Sequence, residues 1–74
     1  MTGRLPVVSG ARLVRALEKH GWEVARQRGS HVGLRHPERH VFLTVPMHKE
    51  LRRKTLDGIL KDAGLGRDEL RQLL

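Results

Sequence analysis

From His31 to Val45 the apolar residues of this chain recur on alternate positions, with Val32 and Leu34 in one run and Val41, Leu43 and Val45 in the next. Side chains switch faces along an extended chain, so the pattern buries one face of a sheet and leaves the other in water. The flanking segments have another period. Leu13, Val14 and Leu17 fall on one helical face with Ala16 beside them, and Leu56, Ile59, Leu60 and Ala63 keep the i, i+3, i+4, i+7 spacing of a buried stripe. A sheet with one apolar face, bracketed by two amphipathic helices, is satisfied when both helices cover that face. The opposite face stays available.

Punctuation residues set the boundaries. Residues 1–8 read as a loose lead-in, because Pro6 and the β-branched pair Val7-Val8 disfavour helix. Ser9 suits an N-cap, and Gly21 suits the residue after the last helical turn, with Lys19 and His20 near the helix's negative end. Trp22 to Arg28 reads as a first strand, but Trp22 and Val24 share a side with Arg26 and Arg28, so its facing stays open. Gly29-Ser30 is a turn. A second strand, His31 to His36, turns Val32 and Leu34 inward and His31, Gly33 and Arg35 outward. Pro37-Glu38-Arg39 connects it to a third, His40 to Val45, in which Phe42 and Thr44 face outward with His31. Pro46 stops that strand, and Met47 to Arg53 forms a loop with His48, Lys49, Arg52 and Arg53. Gly64 caps the second helix, inside which Gly58 costs about 1 kcal/mol relative to Ala unless a close contact requires it. A last helix, Arg67 to Leu74, carries Asp68 and Glu69 in its first turn and Leu70, Leu73 and Leu74 on one side. The expected fold is α+β: helix, three antiparallel strands, helix and a short tail helix over residues 66–74, all one domain spanning 1–74.

Charge is placed as unevenly as hydrophobicity. Residues 1–54 hold twelve basic and four acidic side chains, whereas residues 55–74 hold three and four. The basic excess therefore belongs to the first helix, the sheet and the loop after it, a distribution suited to a polyanion, with nucleic acid the first candidate. The basic residues do not line an amphipathic helix opposite bulky apolar residues, which argues against a membrane surface. With no cysteine, disulfides and thiolate metal sites are excluded, and no apolar run approaches the roughly 18 residues of a membrane span. Without a signal-like segment the expected location is the cytoplasm.

The chemistry concentrates in Arg26-Gln27-Arg28-Gly29-Ser30-His31. A histidine at the start of the second strand projects from the wet face with Arg26, Arg28 and Arg35 close in sequence, which sets a titratable base among cations able to hold a phosphodiester. The candidate RNA contacts are Arg26, Arg28, Gly29, Ser30, Arg35, His48, Lys49 and Lys54. On chemistry alone, His31, without an acidic neighbour in sequence, reads first as a surface histidine, and the cations as a solvated surface. A metal site from His31, His36, His40 and His48 is disfavoured, because tight paired spacings are missing and alternation puts His36 opposite His31. No cofactor is called for. Trp22 reads as a core residue beneath the first helix.

Taken together, His20-Gly21-Trp22, the Arg26–His31 stretch, His36-Pro37, Thr44-Val45-Pro46-Met47-His48, and Thr55-Leu56 with Ile59 to Leu65 resemble the HicA (YcfA-like) family of toxins from prokaryotic toxin-antitoxin systems. The likeness runs over nearly the whole chain. It implies the double-stranded-RNA-binding fold, cleavage of messenger RNA independent of the ribosome, a catalytic role for His31, and neutralisation by a HicB-type antitoxin, with higher-order toxin-antitoxin complexes allowed. Members often carry a second histidine directly after the first, where this chain has Val32. The inward facing of Val32 leaves the proposed catalytic group untouched. The runner-up is a non-catalytic RNA-binding module of the same fold, and a third reading is a protein-interaction domain.

Overall fold

Ser9 starts the first helix by accepting a hydrogen bond on its Oγ from the Arg12 N–H at 3.1 Å, while its carbonyl accepts from Leu13 N–H at 3.0 Å. In the computed structural model, which describes residues 6–74, α1 (Gly10–Lys19) is followed by β1 (Glu23–Arg28), β2 (His31–Arg35), β3 (Leu43–Pro46), α2 (Arg53–Ala63) and α3 (Arg67–Leu73). The strands form one antiparallel sheet in the order β1-β2-β3. The α+β order expected from the sequence is the one found.

Facing in β2 and β3 follows the alternation. Val32 pairs with Val45 and Leu34 with Leu43, and all four are buried, while Gly33 pairs with Thr44 and His31 with Pro46 on the other face. Leu13 and Leu17 from α1 and Leu56, Ile59 and Leu60 from α2 complete the core over the buried face. Val32, 4% exposed, is apolar core packing.

The ambiguity of β1 is resolved by a bulge. Val24 stands opposite Leu34 and Arg26 opposite Gly33, so β1 advances two residues while β2 advances one. Ala25 is the extra residue. It reverses the parity of the strand, placing Val24 on the side of Leu34 and bringing Arg26 and Arg28 onto the outer face with Gly33 and His31. β1 begins one residue later than expected, because the backbone N–H of Trp22 donates to Leu17 O at 3.0 Å and keeps that residue in the exit from α1.

The third strand is shorter than its alternation suggests. Its ladder starts at Leu43 rather than His40, and Val41, expected to face inward, is 36% exposed. The cause lies in the connection. His36 accepts from the Glu38 N–H on Nδ1 at 3.1 Å and from the Arg39 N–H on its carbonyl at 3.2 Å, which turns the chain away before residues 40–42 can pair with β2. Pro46, paired with His31, is the last residue of the ladder, so the strand stops there as expected, and an edge strand accommodates it.

The chain is tied in before α1 as well. Val8, placed in the loose lead-in by sequence, is 2% exposed and its carbonyl accepts from Leu51 N–H at 2.9 Å; Met1 to Leu5 lie outside the described residues. At the other end, Leu70 is fully buried, Leu73 and Leu74 pack on the core, and Lys19 Nζ donates to Leu73 O at 3.0 Å. Gly66 N–H donates to Glu69 Oε1 at 2.9 Å, which fixes the start of α3.

Gly58 of α2 is exposed, and a Cβ built there meets nothing within 4 Å. No close contact requires glycine at this position. Gly58→Ala is therefore expected to stabilise the domain by about 1 kcal/mol. A thermal melt should show Tm rising by about 4–8 °C; an unchanged or lower Tm would mean that the glycine has a role this packing does not reveal.

Candidate functional site

The hairpin between β1 and β2 carries the site. Gly29 has φ of 53° and, among the described residues, none other than glycine has positive φ, which suits a two-residue turn led by glycine. The turn sets Arg28 directly across from His31. A second constraint holds this end of the sheet, since Ser30 O accepts the Met47 N–H at 2.6 Å just past β3.

Arg26, Arg28, His31, Gly33, Phe42 and Thr44 line a shallow depression of about 140 Å³ on the outer face. His31 is exposed, on a strand whose inward neighbours Val32 and Leu34 are anchored in the core. A solvent-facing imidazole is thus held on a rigid element, with two guanidinium-bearing residues around the same depression. No acidic side chain lines it. The arrangement can attract an anion and offer it a group able to give or take a proton.

Other sequence candidates are distributed around this centre. Arg35 shares the outer face but stands at the far end of β2, opposite Glu23. At about 3.4 Å per residue, the four steps from His31 put it roughly 14 Å along the strand. Sequence proximity overstated its closeness. Gly29 and Ser30 form the turn, and His48 and Lys49 are exposed in the loop beyond Pro46, itself paired with His31. The His48 carbonyl accepts from Gly10 N–H at 2.9 Å, which anchors that loop to the start of α1. Lys54 is exposed in the first turn of α2 and does not line the depression. His36 sits elsewhere, packed edge-on against Trp22 with ring centroids 5.2 Å apart.

Gly33, Phe42 and Thr44 were absent from the sequence candidates. The signal for Phe42 and Thr44 was their outward parity with His31. What parity could not reveal is that the Phe42 ring folds back over Gly33, where an added Cβ would meet it, and lies 5.6 Å from the Arg26 guanidinium carbon.

With this geometry in place, comparison with protein families is decisive. The model of the HicA toxin of bacterial toxin-antitoxin systems matches residues 10–65. The chain belongs to the HicA toxin family. A HicA toxin is the toxin member of a toxin-antitoxin pair, so pairing with an antitoxin follows from the family. The HicA match takes in α1, the whole sheet and α2, and leaves α3 outside it. No curated protein matches the chain. Among the described residues no helix is long and apolar enough to cross a membrane, and no group of three His, Asp or Glu side chains is placed to hold a metal ion.

Proposed function

We propose that this HicA-family toxin is an endoribonuclease that cleaves messenger RNA without the ribosome and uses His31 as its catalytic group. The observation that carries the reading is the exposed His31 in one depression with Arg26 and Arg28, on the only sheet face the helices leave open. As a base, neutral imidazole takes the proton of a ribose 2′-OH, whose oxygen then attacks the adjacent phosphorus. The 5′ oxygen leaves and takes a proton from water, giving a 2′,3′-cyclic phosphate and a 5′-hydroxyl. As an acid, imidazolium delivers a proton to that leaving oxygen instead, and water takes the proton of the 2′-OH. In either role the guanidinium groups of Arg26 and Arg28 stabilise charge on the phosphoryl oxygens.

Incubating the purified chain with single-stranded and double-stranded RNA tests this reading. Cut product supports it. An intact but shifted band supports the non-catalytic RNA-binding module, and an unchanged band removes both.

Binding to the RNA backbone also has a salt signature. The logarithm of affinity should fall linearly with the logarithm of salt, by about 0.7 per phosphate neutralised on a single strand. Arg28→Gln should flatten that slope by about one such unit, and a slope near zero would argue against phosphate contacts.

The same face is the proposed target of the antitoxin. An acidic surface of a HicB-type partner that covers His31 and its basic neighbours would exclude RNA and bind more slowly as salt rises. Hydrogen exchange of the complex against the free chain should show protection in residues 26–36 and 44–49. Protection confined to α3, with RNA still bound, would place the inhibitor elsewhere.

A further inference from the structure

We infer that Phe42 and Arg26 form a stacking platform for one unpaired base beside His31, which makes single-stranded RNA the substrate of this site. The inference rests on the RNA-cleavage reading and adds what that reading leaves open, the form of RNA accepted.

Phe42 is the chain's only phenylalanine, and it is 49% exposed on the sheet face opposite the core. Its position is built rather than incidental. Gly33 is buried although it points outward, because the ring covers it; a Cβ there would lie 2.8 Å from Phe42 Cε2. Only a glycine lets the ring lie so close to the strand. The bulge at Ala25 then turns Arg26 onto the same face, with its guanidinium carbon 5.6 Å from the ring centroid. Two flat groups, one aromatic and one cationic, thereby occupy the wall of the depression that holds His31 and Arg28.

A flat apolar ring next to cations matches the chemistry of a nucleotide, a π-face bonded to an anion. Bases stack on exposed aromatic rings and on arginine planes, while neighbouring cations take the phosphate. In a duplex both faces of every base are covered by the stack, so only an unpaired nucleotide can use the platform. The chemistry favours the same choice. Attack by the 2′ oxygen needs that oxygen, the phosphorus and the leaving oxygen in line, and a base drawn out of its stack frees the linkage to reach that geometry. The ring and the arginine also suit a protein interface, and the antitoxin proposed above would cover them; stacking of a base is what the RNA titration reads.

The alternative role for Phe42 is to cover the Gly33 backbone, as aromatic rings do over strand glycines. Fluorescence separates the two. In a His31→Ala background, which prevents cleavage during titration, a short single-stranded RNA carrying 2-aminopurine is compared with its duplex, for Phe42, Phe42→Leu and Phe42→Trp. Expected are preference for the single strand, quenching of 2-aminopurine on binding, a loss of about five- to a hundredfold in affinity with Leu, and recovery with Trp. Equal affinity and quenching for the Leu and Phe proteins, or equal binding of duplex and single strand, overturns the platform. Cleavage by the protein with His31 intact is measured in parallel on the unlabelled strand. If that protein cuts RNA while Phe42→Leu binds as Phe42 does, only the platform falls; if it neither cuts nor binds, the parent reading falls with it.

Discussion

Trp22→Ala is expected to leave the chain largely unfolded at room temperature. Trp22 is 2% exposed and is the largest fully buried side chain of the domain. It holds three parts together. Its backbone N–H donates to Leu17 O at the end of α1, its ring meets His36 edge-on, and the next residue begins β1, which supplies Arg26 and Arg28. Truncating such a residue costs about 3–5 kcal/mol in transfer and cavity terms. A chain of 74 residues has total stability of roughly 4–11 kcal/mol, and small cores sit toward the lower end. Loss of near-ultraviolet and far-ultraviolet circular dichroism, with no cooperative urea transition, is the expected outcome. Trp22→Phe should cost less than about 1.5 kcal/mol, since it keeps a ring and removes the buried Nε1 donor that has no hydrogen-bond partner among the described residues. A cooperative melt of the Ala variant close to that of the parent would contradict the view that Trp22 organises the core.

The sequence made the helices and the inner faces of β2 and β3 legible, because their apolar residues keep one period without interruption. Leu56, Ile59, Leu60 and Ala63 are buried as their spacing requires, and Val32, Leu34, Leu43 and Val45 form the sheet's core face. Where two local signals competed, the outcome depended on contacts between distant residues. An alternation template cannot place the bulge at Ala25, because the extra residue is defined only against β2. Val41 continued the alternation of β3, but the turn made by His36 removed its pairing partner. The candidate site divides in the same way. His31, Arg26 and Arg28 were within reach of sequence reasoning because the Gly29-Ser30 turn brings them together locally. The seating of Phe42, just before β3, over Gly33 of β2 depends on the connection between the two strands, and no local pattern announces it.

His31→Ala is expected to lower RNA cleavage by about 10²- to 10⁴-fold, the usual contribution of a positioned proton-transfer group. The fold should be unaffected, because His31 is exposed and its inward neighbours Val32 and Leu34 keep β2 in the core. Most RNA affinity should survive as well, since Arg26 and Arg28 remain around the depression. That separation of binding from chemistry distinguishes a catalytic histidine from one that contributes only charge or contact. It also predicts the fate of the RNA ends, a 2′,3′-cyclic phosphate on one fragment and a 5′-hydroxyl on the other. The most direct measurement is single-turnover cleavage of one single-stranded RNA by the parent chain and by His31→Ala, with circular dichroism confirming that both are folded. Rapid cutting by the parent and near-complete loss in a variant that still binds are expected; equal rates in the two proteins, or intact RNA with the parent, would contradict a catalytic role for His31.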